Sequence, residues 1–315
     1  MVEVLSIRRK SAVLTPSSLA CLSRVPTVNV AIGCAHGCLY CYTRGYRGYP
    51  GEGVVGLYVN TPELLRQELR HMRHKPVSVY FSPATDLFQP VTEVLELAYE
   101  VLREVLARGI AVAFLTKGAI PEQHFALLAG HAALVHAQVG LITLDDAVLR
   151  VFEPAAAPAG VRLSQMKRLA ESGIRTQMRV DPILPGVTDD VHTFDGLCQA
   201  AAEGGVSDLA ASVLFLRPAV LLRLRQASVS SAAVGRCLDA FRSAQRMPIR
   251  AEHSTVTALP REERERILER LENAAADHGV SVRRCACKNP DLARGTCSIA
   301  DGLWHTGSAQ GKLFA

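Results

Sequence analysis

The stretch Gly33-Cys34-Ala35-His36-Gly37-Cys38-Leu39-Tyr40-Cys41-Tyr42 decides the reading of this chain. It follows an apolar run, residues 27–32, that reads as a strand, so three cysteines share one loop at a strand's end. Three thiolates at C-x3-C-x2-C spacing can hold three irons of a [4Fe–4S] cluster and leave the fourth iron open to another ligand. Two other readings compete. A disulfide knot suits a short secreted chain, and zinc loops use C-x2-C pairs with a second pair or histidines elsewhere.

Working outward, 315 residues are enough for one large or two modest domains. The apolar and charged fractions, 49% and 21%, are those of an ordinary globular protein rather than a disordered chain. A net charge of +5 is weak support for an anionic partner. The densest basic group, Arg66, Arg70, Arg73, His74 and Lys75, reads first as a solvated helix face. No run of 18 apolar residues is present, so no membrane partner is expected, and the N-terminus lacks the pattern of a signal peptide. Nine cysteines then point to a reducing cytoplasm and to metal or redox use.

From residue 27 to 216 strand-like and helix-like segments alternate. Strands are expected at 27–32, 77–81, 110–115, 134–141, 175–180 and 209–215. Helices are expected at 62–73, 93–108, 121–129, 159–171 and 189–203. Such a repeat makes an α/β protein with a parallel sheet, either opened as a doubly wound sheet or curled toward a barrel. Beyond Arg217 the pattern changes to helices at 219–226, 231–246 and 261–278, with a strand at 249–253. Residues 1–26 therefore read as a lead-in, 27–216 as the core, and 217–315 as a C-terminal extension.

The cysteine loop resembles the signature of the radical SAM superfamily, C-x3-C-x-Φ-C, with Tyr40 as the aromatic Φ. The resemblance implies a partial (β/α)6 TIM-like barrel. It also implies that Cys34, Cys38 and Cys41 bind a [4Fe–4S] cluster whose open iron takes S-adenosylmethionine, with Tyr40 against the adenine. An electron donor such as a flavodoxin or ferredoxin would reduce the cluster, and a 5′-deoxyadenosyl radical would abstract hydrogen from substrate. Further segments, Gly33–Tyr42, Thr85–Pro90, Leu115–Lys117, Phe152–Pro154 and Asp181–Gly186, together resemble the spore photoproduct lyase-like branch. Lyase activity itself does not carry over. Residues 81–86 lack the cysteine that such lyases use as a hydrogen-atom donor, and Gly140 stands where a serine is common, with Thr143 nearby.

Within that resemblance, polar residues at strand ends become candidate S-adenosylmethionine ligands. Thr85 and Asp86 can accept from its ammonium, and Lys117 can pair with its carboxylate. Thr143 and Asp145 can bind ribose hydroxyls or the S-adenosylmethionine carboxylate, and Arg179 beside Asp181 can clamp a carboxylate. Each has a plainer reading as a helix cap, a solvated side chain or a structural pair. Arg217, Glu252 and His253 are candidates for the substrate side.

Cys285, Cys287 and Cys297 form a second group, C-x-C-x9-C. It reads as an auxiliary iron–sulfur cluster, as a zinc site closed by Cys237 or a histidine, or as free thiols. Cys198 reads as a small core residue. Cys237 is either core or a hydrogen-atom donor to a product radical, and so the one candidate catalytic side chain. Aromatic residues make up only 5% of the chain, which favours a small-molecule substrate over nucleic acid.

Overall fold

The computed structural model describes residues 2–17, 19–46, 48–249, 254–293 and 299. In chain order the strands are β1 (Glu3–Ile7), β2 (Thr27–Val28), β3 (Ala31–Ile32), β4 (Val54–Tyr58), β5 (Ser78–Phe81), β6 (Ala111–Thr116), β7 (Val135–Gly140), β8 (Arg175–Ile183), β9 (Asp208–Val213), β10 (Phe215–Leu216), β11 (Gln245–Ile249), β12 (Ser254–Ala258) and β13 (Ser281–Arg284). The helices are α1 (Thr61–His71), α2 (Thr92–Leu106), α3 (Glu122–Ala129), α4 (Asp146–Phe152), α5 (Ala159–Glu171), α6 (Val191–Glu203), α7 (Pro218–Ser228), α8 (Ala232–Asp239) and α9 (Arg261–Asp277).

Seven strands make one parallel sheet in the order β13-β9-β8-β7-β6-β5-β2. This is the partial TIM-barrel architecture, with β2 and β13 as its two open edges. The expected six strands fall short by one. The seventh, β13, comes from the segment read as an extension and pairs with β9 from Ser281↔Asp208 to Arg284↔Ala211.

Alternation along the strands separates two apolar layers. Val112 and Phe114 of β6 join the large core under the helices, where α2 contributes Val94, Ala98, Val101, Leu102 and Val105. Ala111 and Ala113, their neighbours, point inward and meet Tyr80, Ala210, Leu22 and Val25. Small side chains on the inner face leave the barrel interior open, and the lead-in segment plugs one side of it.

The expected strand 27–32 is two strands. β2 belongs to the barrel, while β3 pairs antiparallel with β4 in a separate sheet, β1-β4-β3. Asn29 sits at the break, where its side chain accepts from Ala84 N (3.1 Å) and its carbonyl from Arg9 (2.6 Å). The helix expected over 231–246 stops at Asp239, and β11 takes residues 245–249. There Met247 and Ile249 are buried between exposed neighbours, a period of two rather than 3.6. Pro248 fits because β11 is an edge of the sheet β10-β12-β11.

Candidate functional site

The cysteine loop leaves β3 at Gly33, whose φ of +82° favours glycine; a Cβ there would also lie 2.5 Å from Val54 O. Two remote segments then clamp the loop. Thr85 Oγ1 donates to Gly33 O (2.5 Å), and Ala35 N donates to Gln89 Oε1 (2.8 Å). From the other side Leu39 N donates to Phe152 O (2.9 Å) and Ala155 N to His36 O (3.1 Å). The Thr85–Pro90 and Phe152–Pro154 segments therefore serve as anchors for the loop.

Cys34, Cys38 and Cys41 open into one cavity together with Tyr40, Thr85, Asp86, Lys117, Arg179, Cys285 and Cys287. Burial pushes the Cys34 and Cys38 thiols up, and the neighbouring cysteines push in the same direction. Three soft donors gathered on one rigid loop fit the corner irons of a cluster. Among the described residues no group of three His, Cys, Asp or Glu side chains is arranged to hold a single metal ion. Cluster thiolates bind separate irons and need not converge on one point.

Asp86 is more committed than the sequence shows. Its carboxylate accepts from Phe88 N, Thr116 Oγ1 and Lys117 N, each at 2.8 Å, and lies 3.1 Å from His36 Nε2. Burial opposes its ionisation, but the His36 charge and these donors outweigh burial and hold it below the usual carboxylate range. His36 Nδ1 lies 3.1 Å from Ala155 O, so the histidine inside the cysteine motif ties both anchors together.

Glu153 was not singled out by sequence reasoning, and it organises the next wall. Its side chain is fully buried and takes Tyr40 Oη, Lys117 Nζ (3.5 Å) and Arg162 Nη1. Burial opposes its charge, yet Lys117 and Arg162 hold it below the usual range. Burial and the same carboxylate push the Tyr40 phenol well up. Lys117 Nζ also donates to Asp181 O (3.2 Å) and lies beside Gly140, where a Cβ would stand 2.6 Å from Nζ. A serine at position 140 would crowd that ammonium.

The opposite wall is built from β8 and the turn after β13. Asp181 accepts from Arg179 Nε (2.9 Å), from Lys288 Nζ (2.8 and 2.6 Å) and from Ser212 Oγ. Burial opposes its charge, and Lys288 and Arg179 lower it to about 2. Arg179 Nη2 also donates to Cys285 Sγ (3.4 Å), and Lys288 Nζ stands 5.5 Å from the Tyr42 ring centre. Lys288 had no signal in the sequence beyond its place beside the second cysteine group.

Some expected residues are not brought together. Thr143 is buried but does not line the cavity; its Oγ1 accepts from Asp145 N (3.1 Å), and Asp145 caps α4 through Ala147 N (2.7 Å). Cys237 sits on α8 inside the apolar core, away from the cavity and from Cys285 and Cys287 in its lining. Burial pushes its thiol up to about 12. Cys297, Glu252 and His253 lie outside the described residues. Four tyrosines, Tyr40, Tyr42, Tyr46 and Tyr80, line the cavity with Phe215, although aromatics are sparse in the chain. No helix among the described residues is long and apolar enough to cross a membrane.

The family model of the radical SAM superfamily matches residues 28–197, just over half of the chain. A radical SAM Nα-GlyT isomerase of Pseudomonas phage M6 is 28% identical over 197 residues, covering 61% of this chain and 41% of the relative. An uncharacterized protein of Mycobacterium tuberculosis strain H37Rv is 28% identical over 217 residues, covering 66% of this chain and 64% of that protein. The chain thus spans less than two thirds of either relative. Among solved structures, a spore photoproduct lyase variant with bound AdoMet and dinucleoside spore photoproduct superposes with a TM-score of 0.68 at 15% identity, over 89% of this chain and 81% of the lyase. A radical SAM methyltransferase from Sphaerobacter thermophilus gives 0.51 at 16% identity, over 83% of this chain and 66% of that one. These two likenesses concern the fold.

Proposed function

This chain belongs to the radical SAM superfamily, and from that premise we propose that it reductively cleaves S-adenosylmethionine to start radical chemistry on a small-molecule substrate. The observation that carries this reading is the cysteine loop, clamped at the strand ends and opening into a cavity lined by cations and hydroxyls. When bound and reduced, the [4Fe–4S] cluster would supply one electron to S-adenosylmethionine, breaking its carbon–sulfur bond to give methionine and a 5′-deoxyadenosyl radical.

The protein's own residues orient and shield. Cys34, Cys38 and Cys41 hold the cluster, and Tyr40, fixed by Glu153, offers a ring face for the adenine. Lys117, Arg179, Arg217 and Lys288 line the cavity, and of these Lys117 and Arg179, the two expected from the sequence, would attract the S-adenosylmethionine carboxylate. Thr85 and Asp86 line it as well. Asp86 acts mainly as a positioning residue, since its oxygens already hold His36, Thr116 and two backbone amides. Thr143, off the cavity, would act through the α4 cap rather than by touching the ribose. A flavodoxin- or ferredoxin-like donor in a reducing cytoplasm completes the reading.

A second reading, modification of nucleic acid, is favoured by the tyrosines around the cavity, since base stacking on aromatic rings is worth about 1–3 kcal/mol each. One experiment addresses both. Protein reconstituted anaerobically with iron and sulfide is given S-adenosylmethionine and dithionite, and 5′-deoxyadenosine is measured. Formation that disappears in Cys34→Ala, Cys38→Ala or Cys41→Ala supports the proposal, and retention in those variants refutes it. Stimulation by an oligonucleotide, with salt-dependent binding, would favour the second reading over the first.

A further inference from the structure

Cys21, Cys285 and Cys287 are three cavity-lining thiols that the cluster loop does not use. Cys21 lies in the turn Ala20–Leu22 before β2, one open edge of the sheet. Cys285 and Cys287 leave β13, the other open edge. Those edges are the two ends of a seven-stranded sheet, yet Cys287 Sγ lies 3.2 Å from Cys21 Sγ, across 266 residues of sequence, and is also hydrogen-bonded to Cys285. We propose that Cys21, Cys285 and Cys287 ligate a second, thiolate-bound metal centre that joins the two open edges of the barrel.

Both arms of this site are held firmly. Leu22 and Val25 are buried in the barrel interior against Tyr80, Ala111, Ala113 and Ala210, which fixes the turn carrying Cys21. On the other arm Cys285 N donates to Ala211 O and Asn289 N to Cys285 O, both at 2.9 Å, so the Cys-x-Cys turn is tied to β9 and closed on itself. The fold alone thus brings the Cys21 and Cys287 sulfurs together, with Cys285 beside them.

Three sulfurs in a row offer little packing that aliphatic side chains would not provide better. As donors they select soft or borderline metals, namely zinc or the irons of a cluster. Arg179 beside Cys285 and Lys288 one residue past Cys287 supply positive charge where thiolates would gather. In the arrangement seen, Cys287 is the middle of the three and Cys285 faces Arg179, so they do not yet close around one ion. The sequence grouping of Cys285 and Cys287 with Cys297 has no place for Cys21, and its convergence is visible only in three dimensions. This proposal is separate from the reading of the first cluster, because the two sets of sulfurs lie on different chain segments.

The test uses the full chain with Cys34, Cys38 and Cys41 all replaced by alanine, purified and reconstituted anaerobically. Iron, zinc and acid-labile sulfide are then counted. Retention of about four irons with sulfide, or of about one zinc, supports the site and identifies its metal. Adding Cys21→Ser, or Cys285→Ser with Cys287→Ser, should remove that metal, while adding Cys198→Ala should not. Since loss of Cys21 can also loosen its turn, X-ray absorption on the protein that keeps Cys21 gives an independent count: at least three sulfur neighbours are expected for zinc, and for iron four, three sulfides and one thiolate, at most of the irons. The proposal is overturned by a folded, metal-free protein on the triple-alanine background. It is equally overturned by metal content unchanged by Cys21→Ser, or by mass spectrometry showing a Cys21–Cys287 disulfide in the anaerobic protein.

Discussion

The wall carrying Cys34, Cys38 and Cys41 and the wall carrying Asp181, Cys285 and Lys288 face the same cavity, but they are built in opposite ways. The first is local: eight residues supply three sulfurs and an aromatic ring, and the rest of the protein only clamps the loop. The second is assembled from β8, from the turn after β13 and from the lead-in, segments up to 266 residues apart. A wall encoded by spacing should fail through its donors. A wall encoded by folding should fail through its charges and its packing.

The largest effect separates these modes of failure. Cys38→Ala is expected to abolish 5′-deoxyadenosine formation and to lower the iron content, while the apo-protein keeps its melting temperature within a few degrees. The thiol is small and makes little of the core, so loss of function without loss of fold is the mark of the local wall. If apo-Cys38→Ala unfolds, the loop is a structural keystone and the contrast breaks down.

Asp181→Ala should do the reverse. It leaves the Arg179 and Lys288 charges facing each other without their shared carboxylate, and removing one partner of a buried pair costs about 3–5 kcal/mol. The expected outcome is a large drop in the apo-protein's unfolding free energy in urea. A cost under about 1 kcal/mol would mean that water reaches these groups and that the second wall is loosely made. Glu153→Gln tests an intermediate case, since Glu153 is remote in sequence but serves the first wall through Tyr40 and Lys117. Gln can still accept from Tyr40 but cannot neutralise both Lys117 and Arg162, so a loss of about 2 kcal/mol is expected, together with weaker S-adenosylmethionine binding by calorimetry.

The contrast also accounts for what the sequence shows. The parallel sheet was legible because β6 is a short apolar run and β7 alternates small apolar residues with His136 and Gln138, both lying between helix-like segments. The seventh strand was not, because Ser281–Arg284 is short and polar and owes its state to pairing with β9. Likewise Cys34, Cys38 and Cys41 announce themselves by spacing. Cys21 carries no local pattern, and Glu153, although inside the Phe152–Pro154 segment, has nothing beside it that gives its role; both roles come from which distant side chains the fold brings to them. Asp86 shows the limit of reading strand ends one at a time: a carboxylate at the right place proves to be occupied by four neighbours within the protein.

The smallest effect concerns the cysteines that belong to neither wall. Burial pushes Cys198 up to about 11 and Cys237 up to about 12. A raised thiol value keeps the group protonated below it, so at pH 8 about one in a thousand Cys198 side chains and one in ten thousand Cys237 side chains would be thiolate. Alkylation requires the thiolate and access to it. Iodoacetamide should therefore label neither cysteine in the folded protein at pH 8, and both in urea, as read by peptide mass spectrometry. For Cys237 the matching variant, Cys237→Ala, should cost about 1 kcal/mol of stability and leave 5′-deoxyadenosine formation at the wild-type rate. If it instead blocks turnover of an identified substrate while S-adenosylmethionine cleavage continues, α8 must approach the cavity during the reaction. Cys237 would then rejoin the chemistry as a hydrogen-atom donor.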